Sequence, residues 1–197
     1  MKVINKAFKF ILIFTIICGL VYPVFITGVS QLLFKDKANG SIIEIDGKKY
    51  GSVLLAQEFT GNDYLWGRIM NIDTNTFKDD NGKALMYASP SNLSPASDEY
   101  EKIVNDRVSK IKEANPDKKD EPIPVDLVTT SGSGLDPHIS VAAAKYQVDR
   151  IAEARNMSTD EVEKVIEKYT KGRTFGVFGE ERVNVLQVNL ALDGILK

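Results

Sequence analysis

The sequence predicts an α+β protein, in which one N-terminal transmembrane helix is followed by a single compact mixed extracytoplasmic domain. Three observations lead to this prediction. No Asp, Glu, Lys or Arg occurs in residues 10–34. An Asp46-Gly47 pair stands between two apolar segments, which is a strong signal for a β-hairpin. Beyond residue 97, apolar residues recur at helical spacing and no fixed-period repeat is visible, which favours one mixed domain.

The uncharged stretch is long enough to cross a bilayer. Its 25 residues would span about 37 Å as a helix, against about 30 Å of hydrocarbon core. The alternative is a cleaved signal peptide, but an apolar region of that kind runs about 7 to 15 residues and ends at an Ala-x-Ala-like site. Neither feature is present, so the sequence favours an uncleaved anchor.

Charge predicts the orientation of this anchor. Lys2, Lys6 and Lys9 precede the apolar run and no acidic residue accompanies them. Such a basic flank stays in the cytoplasm. We therefore predict a cytoplasmic N-terminus at residues 1–9, a transmembrane helix at 10–34, and an extracytoplasmic soluble domain at 35–197.

One face of the anchor differs from the rest. Small or polar residues recur at every fourth position: Thr15, Gly19, Pro23, Thr27 and Gln31. In lipid, helices associate through close backbone approach at small residues and through hydrogen bonds from polar ones, and Pro23 also frees the carbonyl of Gly19. The stripe predicts a helix-packing face. The alternative is a lipid-facing tether with a proline kink.

Composition excludes several functions for the outer domain. Three of the 25 Lys and Arg residues precede the apolar run, so 22 basic residues face 27 acidic ones and the domain carries about −5. Nucleic acid is therefore not an expected partner. The chain has one His, and its single Cys18 lies in the apolar run, so we expect no zinc or other multi-His/Cys metal site.

The first part of the outer domain reads as three elements and a connector. Residues 41–56 predict the hairpin around Asp46-Gly47. Residues 61–97 are rich in turn-forming residues with aromatics spread among them, which predicts an irregular segment with Trp66 in the core. Apolar spacing after Ser97 predicts a helix at 98–114. Residues 116–124 read as an exposed connector.

The second part predicts a short strand, a glycine loop and helices. Val125, Leu127 and Val128 suit the strand, and helices are expected at 140–156 and 158–171. The second helix has a capping-box pattern from Ser158 to Glu161 and Gly172 at its end. Residues 183–192 are ambiguous, because apolar alternation competes with a possible Asn184 cap, and helix is favoured. Its amides, those of Asn184, Gln187 and Asn189, need hydrogen-bond partners where they are buried.

The loop 129–138 is the only stretch that suggests catalysis. A membrane-anchored hydrolase would use Ser131 or Ser133 as nucleophile, His138 as base, and Asp136 or Asp126 to orient the base. The Gly-x-Ser-x-Gly pattern is absent. The favoured interpretation is structural: Gly132 and Gly134 supply positive φ, and Asp136-Pro137 begins the next helix.

Three blocks of sequence carry a family resemblance. Residues 124–140 read PVDLVTTSGSGLDPHIS, residues 146–156 read YQVDRIAEARN, and residues 182–193 read RVNVLQVNLALD. With the anchor, the segment LLAQEF at 54–59 and the overall length, they resemble the C subunit of the bacterial Kdp potassium-transporting P-type ATPase, the KdpC family. The chain departs from the family pattern at ASPSNLSP, residues 88–95, and at Val141, where the family usually has Pro.

The resemblance implies a non-catalytic accessory subunit in the bacterial cell membrane. The complex would import K⁺ at the expense of ATP, with a channel-like potassium-translocating subunit and a P-type ATPase subunit as partners. Family members are described as assembling the complex and as catalytic chaperones that raise the ATP affinity of the pump subunit. The glutamine implicated in that nucleotide effect matches Gln147. Because an outer domain cannot meet cytoplasmic ATP, the effect would be transmitted through the complex.

Two other classes of protein remain as hypotheses. One is the membrane-anchored extracytoplasmic hydrolase, and the other is a single-pass binding or sensor module that belongs to no pump. Hydrolysis of model esters by variants of Ser133 and His138 would test the first. Co-purification after mild detergent extraction would test the second.

The predicted orientation can be tested with a topology reporter. A reporter that is active only in the cytoplasm, fused after Lys197, is expected to stay silent, because the lysines before the apolar run hold the other end inside. A strong signal from that fusion would reverse the orientation and allow direct contact with ATP.

Overall fold

A computed structural model describes residues 2–196 and divides into two compact units at Ile42/Ile43. The N-terminal unit is helical throughout most of its length. It contains α1 (Lys2–Ile16), a π-helical turn (Ile17–Val21), α2 (Tyr22–Leu33) and the short α3 (Lys35–Ala38). The predicted cytoplasmic N-terminus begins at residue 1, and the predicted outer domain ends at residue 197. Both of these residues lie outside the range that the structure describes.

The run Lys2–Leu33 is continuous and is long and apolar enough to span a membrane. Its π-helical turn has a local cause. Pro23 has no N–H to donate to Gly19 four residues earlier, and one residue before it the Tyr22 N–H bonds the Ile17 carbonyl in an i→i+5 step. The proline is thus absorbed as a π-turn, a known response of helices to a missing donor.

The predicted hairpin around Asp46-Gly47 is confirmed, but it ends at Ser52, and residues 53–55 form a turn instead of continuing the second strand. Strands β1 (Ile42–Ile45) and β2 (Lys48–Ser52) form a two-stranded sheet. Asp46 and Gly47 both have positive φ, at 52° and 75°. This is the conformation that a two-residue turn with the right twist requires.

The prediction that residues 61–97 are wholly irregular is wrong in part. Strands β3 (Ile72–Lys78) and β4 (Ala84–Ala88) form an antiparallel hairpin there. The register shifts between Asp73 and Phe77, where the Asp73 carboxylate accepts from the N–H groups of Asn75 and Thr76. Both strands are mostly exposed. The clean alternation that marks a half-buried strand is therefore missing from the sequence.

Helix α4 (Asp98–Ala114) matches its prediction. The Ser97 hydroxyl caps it by accepting from the Tyr100 N–H at 3.3 Å, and acidic residues fill the first turn, where the helix dipole favours them. The helix ends at Asn115, whose side chain bonds the Ile111 carbonyl, and Pro116 follows.

The strand predicted at 125–128 is wrong, because the chain forms a 3₁₀ turn at Val125–Leu127. The Leu127 N–H bonds the Pro124 carbonyl, so this turn buries Leu127 while Val125 stays exposed. It also aims the Asp126 carboxylate at Ser140, the cap of the next helix. A strand would bury alternate residues, whereas residues 126, 127 and 128 are buried in succession and Val125 is exposed.

The remaining elements alternate helices with a small sheet. In chain order they are β5 (His138–Ile139), α5 (Val141–Tyr146), α6 (Val148–Arg155), α7 (Thr159–Lys168), β6 (Thr170–Lys171), β7 (Arg182–Asn184) and α8 (Val185–Leu192). The strands pair antiparallel in the order β5-β7-β6. Helices pack around residues 65 and 66, and the sheet adds Ile139 and Val183 to the same core.

Several predicted boundaries shift. The helix expected at 140–156 is interrupted at Gln147, and Asp136-Pro137 leads into β5 and does not begin a helix. The capping box from Ser158 to Glu161 is confirmed, but that helix stops at Lys168. The segment 183–192 combines both of its alternatives, since a strand ends at Asn184 and this residue then caps α8.

The two loop glycines differ, and this difference can be tested. Gly134 has φ +72° and a Cβ there would meet the backbone oxygens of Ser89 and Asn71, the latter at 2.9 Å, whereas Gly132 lacks a positive φ and has open space. The prediction of positive φ is thus confirmed for Gly134 and wrong for Gly132.

We expect Gly134→Ala to lower the free energy of unfolding by at least about 1–2 kcal/mol, because a left-handed alanine is strained and the two carbonyls must move. Gly132→Ala is the matched control and should change stability by less than about 0.5 kcal/mol. Urea unfolding of the full chain in detergent, followed by emission of Trp66, the single tryptophan, measures both. Equal stability of the two variants would contradict the assignment.

Candidate functional site

Residues 61–67 have no regular secondary structure and enter the core of the outer unit only at positions 65 and 66. The Leu65 and Trp66 side chains are buried, Trp66 with only 3% of its surface exposed. A helix or a sheet would supply hydrogen-bond partners for the peptide groups of this segment, but the segment forms neither. Each buried N–H and C=O therefore needs a partner from elsewhere in the chain.

Two buried side-chain amides meet part of this need. Asn189 of α8 accepts from the Leu65 N–H at 2.8 Å and donates to the Leu65 carbonyl at 2.9 Å. Gln147, at the break between α5 and α6, does the same for Trp66 at 2.9 and 3.1 Å. Each amide imitates one rung of a β-ladder, so two successive residues of an irregular segment are held as a strand would be.

Three arginines bind the remaining carbonyls of the segment. Arg150 of α6 donates to the carbonyls of Gly61, Asn62 and Tyr64. Arg155 binds the Asp63 carbonyl and also the carboxylate of Asp193, and Arg107 of α4 binds the carbonyl of Gly67 at 2.9 Å. We call this set of five side chains the clamp: Arg107, Gln147, Arg150, Arg155 and Asn189.

The indole of Trp66 lies among positive charges. The guanidinium of Arg150 stands 4.3 Å from the ring centroid, and Arg107 and the Lys110 ammonium stand at 5.5 and 5.1 Å. Burial, together with the nearby charge of Arg107, lowers the pKa of Arg150 to about 10, so it stays charged at neutral pH. Its charge is met by carbonyl dipoles and by the face of the ring, and no ion pair of Arg150 exists among residues 2–196.

Gln147, singled out by the resemblance, has no free hydrogen-bonding capacity. Its oxygen accepts from the Trp66 N–H and from Arg150, and its nitrogen donates to the carbonyls of Trp66 and Ala143. Its surface is 1% exposed. The geometry makes Gln147 a positioning residue for Trp66.

Sequence reasoning missed the three arginines. Arg150 and Arg155 sit in a helical stretch where charged residues usually face solvent. The sequence identifies Asn189 only as an amide that needs hydrogen-bond partners where it is buried. The available signal was the lack of secondary structure predicted at 61–67 around an aromatic core, because such a segment requires side-chain donors from elsewhere.

A groove of about 480 Å³ lies beside the clamp. Residues on both sides of the irregular segment and on α4 line it, among them Phe59, Arg68, Ile103, Arg107 and Lys110. Arg107, a member of the clamp that binds the Gly67 carbonyl, also lines the groove. Gly67, the last residue of the irregular segment, is part of the wall of this groove.

The loop 129–138 does not assemble a nucleophile and a base. The hydroxyls of Ser131 and Ser133 accept from the N–H groups of Asp136 and Leu135 in the same loop, and neither serine bonds His138 in the part of the chain that the structure describes. Asp126 binds Ser140 instead of the imidazole.

His138 is held between the sheet and the loop. Its ring lies 3.5 Å from the Asp136 carboxylate and 3.4 Å from the Asn184 amide. Burial lowers its pKa, although Asp136 opposes the shift. An imidazole in this setting favours the neutral form and joins β5 to the cap of α8.

All five residues of the predicted stripe are exposed on the surface of the N-terminal helix in this chain. In a regular α-helix, residues four apart drift by about 40° around the axis at each step. The π-turn at Ile17–Val21 advances less per residue, so it reduces this drift between Thr15 and Pro23. Gly19 has open space around its Cβ position.

Gln31, the last residue of the stripe, is engaged within its own chain. Its amide forms a reciprocal pair with the Asn39 amide, at 3.2 and 3.1 Å, and Asn39 also donates to the Lys35 carbonyl. These bonds tie the end of α2 to α3. Gln31 therefore fixes the exit of the chain from the apolar helix.

Comparison with known proteins gives a consistent result. The family model described as "K+-transporting ATPase, c chain" (KdpC) matches residues 4–194. A potassium-transporting ATPase KdpC subunit from Clostridium perfringens is 68% identical over 197 residues, covering all of both chains. The corresponding subunit from Clostridium botulinum is 67% identical over 195 residues, 99% of this chain and 97% of the relative. That of Methylococcus capsulatus is 47% identical over 191 residues, 97% of each.

The clamp predicts which amide the core depends on. Asn189→Leu keeps the size of the side chain but leaves the Leu65 N–H and C=O without partners, which costs about 2–3 kcal/mol of unfolding free energy. Gln187→Leu on the same helix is the control, because Gln187 is only half-buried and its side chain makes no hydrogen bond among the described residues. Urea unfolding followed by Trp66 emission compares them. Equal losses would show that the amide of Asn189 is dispensable.

Proposed function

The chain belongs to the KdpC family and is therefore an accessory subunit of the Kdp K⁺-transporting ATPase complex, and from this premise we propose how it acts there. It is a non-catalytic subunit that helps assemble the complex and presents a rigid domain to its partners. Its partners are the channel-like potassium-translocating subunit and the P-type ATPase subunit. K⁺ is the ion that the complex transports, and ATP is used at the ATPase subunit.

The N-terminal helix is proposed to anchor the subunit in the bacterial cell membrane. The run Lys2–Leu33 has the length and composition for this, and the basic residues before it favour an outer location for the folded domain. The stripe from Thr15 to Thr27 offers small residues for packing on a neighbouring helix. Gln31 contributes by fixing the helix exit through Asn39.

The observation that carries the non-catalytic role is the state of the buried polar side chains. Gln147, Arg150 and Asn189 all form hydrogen bonds with the backbone of residues 61–67. Groups that hold backbone in this way are not available to bind or activate a substrate. The polar interior serves to fix one surface of the domain.

We also propose that the effect on ATP affinity acts through this fixed surface. Gln147 sets the position of Trp66, and Arg107 connects the same segment to the groove beside α4. The partner subunit that binds this surface would shift its own conformational equilibrium. The affinity of the ATPase subunit for ATP would then change through thermodynamic linkage. Contact between this subunit and the nucleotide is not needed.

The anchor proposal predicts a difference between two substitutions in the membrane helix. Gly19→Leu fits within this chain, since nothing lies near its Cβ position, but it should hold a neighbouring helix away and sharply reduce co-purification of the partner subunits. Ile17→Leu, off the stripe, is the control and should leave recovery unchanged. Equal recovery of the partner subunits with both variants would contradict the proposal that the stripe is a helix-packing face.

The positioning role of Gln147 predicts a change in the apparent KM of the complex for ATP. Gln147→Glu keeps the shape of the side chain but cannot donate to the Trp66 carbonyl, so we expect KM to rise about fivefold or more with kcat nearly unchanged. Glu153→Gln, on the exposed side of α6, is the control. An intact complex whose KM is unchanged, although Trp66 emission has shifted, would exclude this route.

A further inference from the structure

The connection between β6 and β7 presents bare aromatic side chains. All residues from 171 to 180 are exposed, including Phe175 at 91%, Val177 at 69% and Phe178 at 67% of their surfaces. We call residues 174–179 the Phe175 tip. Three apolar side chains side by side without cover are unusual on a domain surface and indicate a contact outside the chain.

The Phe175 tip is held rigidly by its own backbone. The Thr174 N–H donates to the Phe178 carbonyl at 2.8 Å, and the Phe178 N–H donates back at 2.9 Å. Below this bridge, Arg173 pairs with Glu180 at 2.6 Å. The exposure of the aromatics therefore belongs to a formed turn.

The backbone of the tip also holds an unfavourable conformation. Phe175 has φ +55°, in the left-handed region, where a bulky residue is an outlier. Gly176 and Gly179 share positive φ, and glycine takes this conformation without strain. The Phe175 side chain gains no packing within residues 2–196 to offset this strain. Its role is therefore a contact with something outside the chain.

Charge indicates which surface covers the tip. Residues 174–179 carry no charge, and the flanks from 171 to 182 hold three basic and two acidic residues. The domain as a whole carries about −5, from 22 basic and 27 acidic residues beyond the anchor. The tip is thus a place where an acidic domain can approach an anionic lipid surface without repulsion.

The other exposed hairpin lacks these properties. The turn between β3 and β4 places Asp79 and Asp80 at its end, and insertion into lipid would dehydrate both carboxylates. Its apolar side chains lie along the strands and not at the turn. Only the Phe175 tip combines an uncharged end with projecting aromatics among the hairpins described here.

The tether keeps the domain close to a bilayer. The apolar helix ends at Leu33 and the outer unit begins at Ile43, so at most about 35 Å of chain separates them. Resting on the proposed anchoring, we propose that the Phe175 tip inserts Phe175 and Phe178 into the membrane leaflet that faces the domain. This second, shallow attachment restricts how the domain can turn on its tether.

The test uses the full chain alone in vesicles of phosphatidylethanolamine and phosphatidylglycerol. A Cys18→Ala background removes the native thiol, and Phe175→Cys or Phe178→Cys then carries an environment-sensitive fluorophore, with Asp80→Cys as control. We expect brominated acyl chains to quench the labels at 175 and 178 by more than half, while aqueous iodide quenches only the label at 80.

Other outcomes have separate meanings. Labels at 175 and 178 that iodide quenches as strongly as the label at 80, in chains that float with the vesicles, would overturn the proposal. Protection that appears only when the partner subunits are present would also overturn it, because the tip would then contact protein. Failure of the chain to float with the vesicles would instead refute the anchoring itself, and the tip proposal would fall with it.

Discussion

A stretch of buried backbone without regular structure imposes the constraint on which this fold depends. Residues 61–67 enter the core at Leu65 and Trp66, and each buried peptide group there would cost about 1–3 kcal/mol if it lost its partner. The chain meets the requirement with side chains, two amides and three guanidinium groups. These come from α4, α6, α8 and the break before α6. Each helix is thereby fixed relative to one segment, and packing of Trp66 and Leu65 follows from that.

The same constraint brings together separate parts of the sequence that carry the family resemblance. The block 146–156 supplies Gln147, Arg150 and Arg155, and the block 182–193 supplies Asn189 and the carboxylate that pairs with Arg155. The block 124–140 adds the Gly134 carbonyl, which accepts a hydrogen bond from the N–H of Asn71, just after residues 61–67 in the chain. Two of these blocks are distant in the chain and meet at residues 61–67, and the third binds the chain just after them, at Asn71. This arrangement fixes the backbone of residues 61–67 from separate parts of the chain.

The sequence revealed elements whose signals are local. Asp46-Gly47 fixed the first hairpin, and Ser97 with its acidic neighbours fixed the start of α4, because turns and caps are decided by a few adjacent residues. The hairpin β3–β4 was missed because its strands are exposed and polar. The break at Gln147 was missed because it depends on Trp66, which is 81 residues away. The clamp could not be assigned for the same reason: which arginine is buried is decided by tertiary contacts, whereas its helix pattern alone indicates a surface position.

Hydrogen exchange of individual amides tests the central claim most directly. If side chains of the clamp hold residues 61–67 as a ladder would, the N–H groups of Leu65 and Trp66 exchange only through global unfolding, at the rate of the Ile151 amide in α6. An exposed N–H without such a partner among residues 2–196, such as that of Gly132 in the loop 129–138, exchanges much faster. Exchange of Leu65 and Trp66 at the rate of the Gly132 N–H would contradict the account, because the segment would then be held by its apolar side chains alone.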